Sequence, residues 1–283
     1  MPMKSVFSWK SLCCLLCFAL LAGCSKDDAE PDDVLPPLVW PDDIATAIPS
    51  EEFRKYCLYL ADKDRDGKIS KDEALGVEKL YTNAVTSAIN LNRVSSLSGI
   101  QYFSNLREFW WNKAGLVSAD LAYNTRLESI VCCAGSSFMR LRFPATETLT
   151  TVLLSDNPSL REVDLSGCPK LKELNCNALS TSAVALDVLN LPQSADLEFL
   201  RIALTANGSY ADVLDRCPNL KILECCFCRQ KTLDLTRLPG LETLMLENPI
   251  ALKTIRLKRG CPAQVPEGIV NREGEEIEVV YMD

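Results

Sequence analysis

The chain contains no histidine in 283 residues. Ser/His/Asp and Cys/His catalytic groups are therefore excluded, and so are metal centres built on imidazole. Aromatic residues are sparse, at 7%. Positive charge is in the minority: 30 Lys and Arg stand against 38 Asp and Glu, a formal net charge of −8. An acidic chain makes a poor partner for nucleic acid or an anionic membrane surface. Beyond residue 94 the sequence has no amphipathic runs of helical length. Ordinary α/β alternation needs such runs, about 10–15 residues each, between its strands. No apolar stretch approaches the roughly 20 residues that cross a bilayer as a helix.

What is present is a leucine spacing. Leu106, Leu127, Leu149, Leu171, Leu197, Leu220 and Leu241 return 21 to 26 residues apart, each opening an L-x-x-L-x-[L/C] pattern or a close variant. A fixed period of this size is the signature of a leucine-rich-repeat solenoid, whose units bury their apolar edges only by stacking. Most repeats carry a second apolar half: Leu116 to Leu121, Phe138 to Phe143, Leu160 to Leu165 and Leu186 to Leu191. The half from Ser209 to Pro218 departs from the pattern and predicts an irregular turn. The fold class expected is a parallel β-sheet on the concave side, with short extended or 3₁₀ segments opposite. Glu276 to Tyr281 is expected to pair with the last coil, with Ile277, Val279 and Tyr281 on one face.

The amino-terminal segment reads as a targeting signal. Lys4 and Lys10 precede an apolar core from Leu12 to Leu21 that is too short to span a bilayer. Leu21-Ala22-Gly23-Cys24 then resembles the lipobox of bacterial lipoproteins, which implies cleavage before Cys24 and lipidation of its sulfur. Ser25 to Asp33 is acidic and proline-bearing, and predicts a solvated tether. It is similar to export signals of surface lipoproteins; a plain linker is the alternative.

Fourteen cysteines are present. Cys13, Cys14 and Cys17 fall in the signal, and Cys24 is the lipid acceptor. Cys132, Cys176 and Cys225 occupy the last inward position of their repeats, where free cysteine behaves as a small hydrophobe. Cys225-Cys226-Phe227-Cys228 is the one dense cluster, but alternation along a strand points Cys225 inward and Cys226 outward, which disfavours a shared metal. A contact between Cys226 and Cys133 stays open.

A second motif lies ahead of the repeats. Asp62-Lys-Asp64-Arg-Asp66-Gly67-Lys68-Ile69-Ser70-Lys-Asp-Glu73 matches the twelve-residue EF-hand calcium loop. Asp62, Asp64 and Asp66 would supply carboxylates, Lys68 its carbonyl, Ser70 a hydroxyl or a held water, and Glu73 a bidentate carboxylate. Ser70 and Glu73 also form a capping box. Ser50 opens the preceding helix, with Phe53, Tyr56, Cys57 and Leu60 on one face. No second loop follows, so the expected ion is a weakly held structural Ca²⁺ in an N-terminal cap.

These motifs together, with Phe53 to Leu58, Glu73-Ala-Leu75 and Leu97 to Leu106, resemble a group of EF-hand plus leucine-rich-repeat lipoproteins of gut-type diderm bacteria, internalin-like in the repeat. The resemblance covers about residues 50 to 283. Departures are Trp111, Leu154, Ile202 and Leu246 at the family's cysteine position, the ladder asparagine kept at Asn157, and an apparent insertion at 83–93. The organisation expected is a signal peptide at 1–23, lipidated Cys24 with a flexible linker to 49, the calcium module at 50–82, the solenoid at 83–260 and a C-terminal cap strand at 261–283.

An open solenoid offers a surface rather than a deep pocket, so binding is expected rather than catalysis. The outward positions of the sheet are Trp110, Val131, Leu153, Asn175, Arg201, Glu224 and Met245. They predict a face for an extracellular protein or polysaccharide, presented by a monomer anchored to the outer membrane through its lipid and displayed at the cell surface. A purely structural envelope component and a carboxylate-based enzyme are the alternatives, as is burial of Trp110 beneath the calcium module.

Overall fold

The structure, a computed structural model, describes residues 35–83, 88–133, 135, 137–177, 186, 188–192, 196–203 and 210–283. The signal, Cys24 and most of the tether lie outside them. The chain divides into residues 1–36 and a compact unit from Pro37 to Asp283.

Two extended segments per coil build the fold, as the paired apolar halves require. In chain order the strands are β1 (Lys79–Tyr81), β2 (Glu108–Trp111), β3 (Ser118–Asp120), β4 (Ser129–Cys132), β5 (Arg140–Arg142), β6 (Thr151–Leu153), β7 (Glu162–Asp164) and β8 (Glu173–Asn175). They continue as β9 (Val188–Asn190), β10 (Phe199–Ala203), β11 (Ile222–Cys226), β12 (Thr232–Asp234), β13 (Thr243–Glu247), β14 (Thr254–Lys258) and β15 (Glu278–Met282). The first strands of successive coils pair in parallel into an eight-stranded sheet, β1-β2-β4-β6-β8-β10-β11-β13. The second strands form short parallel ladders opposite: β3-β5, β7-β9 and β12-β14-β15. This is a parallel-sheet solenoid of the leucine-rich-repeat type.

The core is a stack of equivalent positions. Leu80, Phe109, Ile130, Val152, Leu174, Leu200, Leu223 and Leu244 stand in register across the long sheet, all essentially buried. Burying a leucine fully contributes roughly 1.5–3 kcal/mol, and each coil gains that burial by stacking on its neighbours. Asn157 spans two coils: its Nδ2 donates to Cys132 O at 2.6 Å and Leu154 O at 2.7 Å, and its Oδ1 accepts from Gly135 N at 3.1 Å. Asn124 and Asn271 do comparable work at other turns, their amides donating to Ile100 O and Phe103 O, and to Leu252 O. These two were not legible from the repeat pattern.

Three sequence expectations change. The long sheet begins at β1, inside the segment assigned to the calcium module, because Leu80 supplies the same inward anchor as Phe109. The expected tether to residue 49 ends earlier: Ile44, Ala45 and Ile48 are buried, and Asp43 caps a 3₁₀ turn over Ile44–Ala47 through Ala45 N at 2.9 Å. The expected irregular turn after Ser209 contains a short helix, α3 (Tyr210–Asp215), following α1 (Glu51–Ala61) and α2 (Lys71–Leu75). As expected, β15 pairs with the last coil, through β14, with Ile277 buried and Tyr281 half exposed. Among the described residues, no helix is long and apolar enough to cross a membrane.

Candidate functional site

The strand registers align the seven expected outward residues in one unbroken row. Trp110, Val131, Leu153, Asn175, Arg201, Glu224 and Met245 are successive cross-strand partners. The row extends one strand further, to Tyr81 on β1, which sequence reading missed because β1 precedes the first recognisable leucine anchor. A leucine followed by an aromatic at Leu80-Tyr81 was the available signal.

The row changes character along its length. At the β1 end, the Tyr81 and Trp110 rings lie 4.7 Å apart at 45°. Tyr81 Oη donates to Glu108, which also pairs with Lys79 Nζ at 2.7 Å. Burial and then the Glu108 carboxylate raise the Tyr81 phenol above its ordinary range, with Lys79 pulling the other way. Val131 and Leu153 follow, both partly exposed. At the other end, Arg201 lies 3.2 Å from Glu224 Oε2 and donates to Glu247 Oε2 at 3.0 Å, and the half-exposed Met245 sits beside them.

Trp110 is not covered by the cap. It is 36% exposed, whereas the adjacent Trp111 is 2% exposed. Trp111 turns inward and meets Phe53 and Tyr56 of α1, with ring centroids 6.0 and 6.5 Å away, and Phe109 at 6.4 Å. The contact between cap and solenoid expected of Trp110 is therefore made by its neighbour, as strand alternation requires.

Cys226 also departs from expectation. It occupies an outward position but is buried, with its thiol donating to Glu247 Oε2 at 3.3 Å beneath the Arg201–Glu247 pair. Burial, followed by the neighbouring Glu247, pushes its pKa up to about 11. The thiol is thus protonated and unreactive at neutral pH. All ten cysteines among the described residues are free.

The acidic loop takes a compact form. Oxygens of Asp62, Asp64 and Asp66 gather within 4.8 Å of one another. Gly67 N donates to Asp62 Oδ2 at 3.0 Å, Asp66 N to Asp64 Oδ1 at 3.1 Å and Lys68 N to Asp66 Oδ1 at 2.8 Å. Gly67 holds φ +82°, the left-handed region that glycine enters without a Cβ penalty. Asp62 Oδ1 is enclosed and has no hydrogen-bond partner. A carboxylate oxygen shut away from water without a donor is costly unless a cation neutralises it. The donor set of hard oxygens suits Ca²⁺.

Glu73 stands apart from that cluster. Its Oε1 accepts from Lys63 N at 2.8 Å, and its Oε2 accepts from Ser70 N at 2.9 Å and Ser70 Oγ at 2.8 Å. The Ser70 backbone N–H, then its hydroxyl, then the Lys63 N–H hold the carboxyl down at about 2. The capping box is formed as expected. Both Glu73 oxygens thus accept from the loop's own donors, and each keeps lone-pair capacity for a cation.

The centre of the loop is tied to the chain ahead of the cap. Ile44 N donates to Ile69 O at 2.9 Å, and Ile69 N to Asp43 Oδ1 at 3.0 Å. These two bonds satisfy the backbone of a fully buried Ile69 that has no second loop to pair with.

No protein-family model matches the chain, and no curated protein matches it. Solved structures similar to it include three from Listeria monocytogenes. An internalin C2 is 17% identical, with 88% of this chain and all of that one covered, at a TM-score of 0.38. The functional domain of InlJ, which includes a cysteine ladder, is 13% identical over 85% of this chain and 70% of that one, at 0.30. An internalin (inlF) is 14% identical over 78% and 87%, at 0.27. The solenoid assignment rests on this chain's own strand register.

Proposed function

We propose that this is a calcium-capped, lipid-anchored surface protein whose long sheet binds an extracellular protein, with a polysaccharide as the alternative ligand. The observation that carries the reading is the outer row from Tyr81 to Met245. It brings exposed aromatic, aliphatic and arginine side chains into one continuous line on a rigid sheet. Such side chains dominate interface energies, and a contiguous apolar stretch beside charges is the usual mark of a recognition surface. A role limited to envelope structure would give these outward positions no reason to be aromatic and aliphatic.

Calcium is proposed at Asp62, Asp64 and Asp66, with the Lys68 carbonyl, Ser70 and Glu73 completing the set. The unpartnered Asp62 oxygen supports this. Membrane attachment through Cys24 and display outside the outer membrane rest on the lipobox-like Leu21 to Cys24 and the acidic stretch after it. Binding rather than catalysis fits a chain without histidine and a site that is a face rather than a pocket.

The test is to screen the soluble domain against arrays of extracellular proteins and glycans, beside Trp110→Ala and Arg201→Ala variants. A ligand retained by the wild type and weakened by about 1–2 kcal/mol or more in each variant fits anchor side chains. A ligand bound equally by all three proteins would overturn the assignment to this face.

A further inference from the structure

The two ends of the sheet face differ in charge balance. At the β1 end Lys79 and Glu108 neutralise each other. At the β13 end a single cation, Arg201, is shared by Glu224 and Glu247. Glu173 adds a third carboxylate two positions before Asn175 on β8, cross-strand from Phe199. It has no cationic partner among the described residues. The β8–β13 half of the face therefore carries two uncompensated negative charges.

Arg201 is held between two carboxylates, with its side chain 29% exposed. Its Nε is enclosed and lies 3.2 Å from Glu224 without an aligned hydrogen bond, and its other arm is held by Glu247. Beside these charges, Phe199, Ile222 and Met245 offer partly exposed apolar surface. Carboxylates next to an apolar strip match a long cationic side chain, which lays its methylene stem on the strip and presents its head to the acids.

We infer that the β8–β13 half of the face receives a lysine or arginine side chain of the protein partner, flanked there by aliphatic residues. This rests on the sheet face being the binding surface and specifies the chemistry of what it binds. Complementary charge fixes register and speeds encounter, and excludes partners that bring acidic groups to the same place.

The experiment pans displayed random peptides on the full protein and on Glu173→Gln, Glu247→Gln and Trp110→Ala variants. Glu173→Gln removes a charge with no cationic partner among the described residues, so the fold is expected to be kept. The wild type is expected to enrich peptides with Lys or Arg beside aliphatic residues. Their affinity should fall about tenfold in Glu173→Gln and weaken as salt rises, as for a partly screened charge contact. Enrichment without cationic residues, no enrichment at all, or unchanged affinity in both Gln variants overturns the inference. If Trp110→Ala weakens the selected peptides while the Gln variants do not, the face binds but not through a cation. If none of the variants matters, the face itself is the wrong surface.

Discussion

Adjacent tryptophans on β2 should respond in opposite ways to truncation. Trp111 is 2% exposed and packs against rings of both the cap and its own strand. Trp111→Ala should cost about 3–5 kcal/mol, the range for removing a large aromatic from a core. In a chain of this length that lowers the melting temperature by on the order of 10 °C. Trp110 is 36% exposed and its main partner is Tyr81. Trp110→Ala should cost about 1–2 kcal/mol, the worth of partial burial and one aromatic pair. A third variant sharpens the comparison. The Trp111 indole Nε1 is enclosed with no acceptor, and an unsatisfied buried donor costs about 1–3 kcal/mol. Trp111→Phe sheds that donor and should recover most of the loss seen with alanine. Denaturant unfolding followed by far-UV circular dichroism checks all three. Equal costs for the two alanine variants, or Trp111→Phe as damaging as Trp111→Ala, would refute the division of labour between the two rings.

Other outcomes follow from the same geometry. Leu174→Ala should cost about 2–5 kcal/mol as a core truncation, against a few tenths for Asn175→Ala beside it, measured by the same unfolding assay. A Cβ at position 115 would fall 1.9 Å from the Asn92 carbonyl oxygen, so Gly115→Ala should destabilise by about 3 kcal/mol or more; near-wild-type stability would mean that turn is differently built. Calcium should raise the melting temperature, by about 0.4 kcal/mol in stability when its free concentration equals the dissociation constant and logarithmically beyond. Asp62→Ala should abolish that shift. The Glu73 carboxyl is held at about 2 from an ordinary 4.5, so its ionised form is favoured by the fold. That contribution is fully present above pH 4.5 and lost as pH falls toward 2. The stability gap between wild type and Glu73→Gln should therefore shrink over that window; a gap independent of pH would contradict the capping geometry. In cells, Cys24→Ala should accumulate a precursor retaining residues 1–23, visible by mass spectrometry.

Much of the fold was legible because each coil repeats one physical problem. The leucines at 171, 174 and 220, 223 have to face inward, and period-two alternation then places Asn175 and Glu224 outward without further information. The second apolar halves mapped as directly onto β3, β5, β7 and β9. What escaped was decided by contacts between distant segments. β1 lacks the full repeat pattern, and only its pairing with β2 identifies it as the first rung. The stretch from Ile44 to Ile48 reads as the end of an acidic linker until Asp43 and Ile44 are seen to bond Ile69. Cys226 alternates outward as expected, yet Glu247 and Arg201, 21 residues ahead and 25 behind in sequence, close over it.

The central claim is that the outer row of the long sheet is the binding face. The most direct measurement places a photocrosslinking amino acid singly at Leu153, Asn175 and Met245 on that row. Matching probes go at Arg142, Asp164 and Asp234 on the opposite ladders, and each variant is irradiated with a ligand found by array screening. Crosslinks from the first three positions and none from the last three are predicted. Crosslinks confined to Arg142, Asp164 or Asp234 would contradict the account.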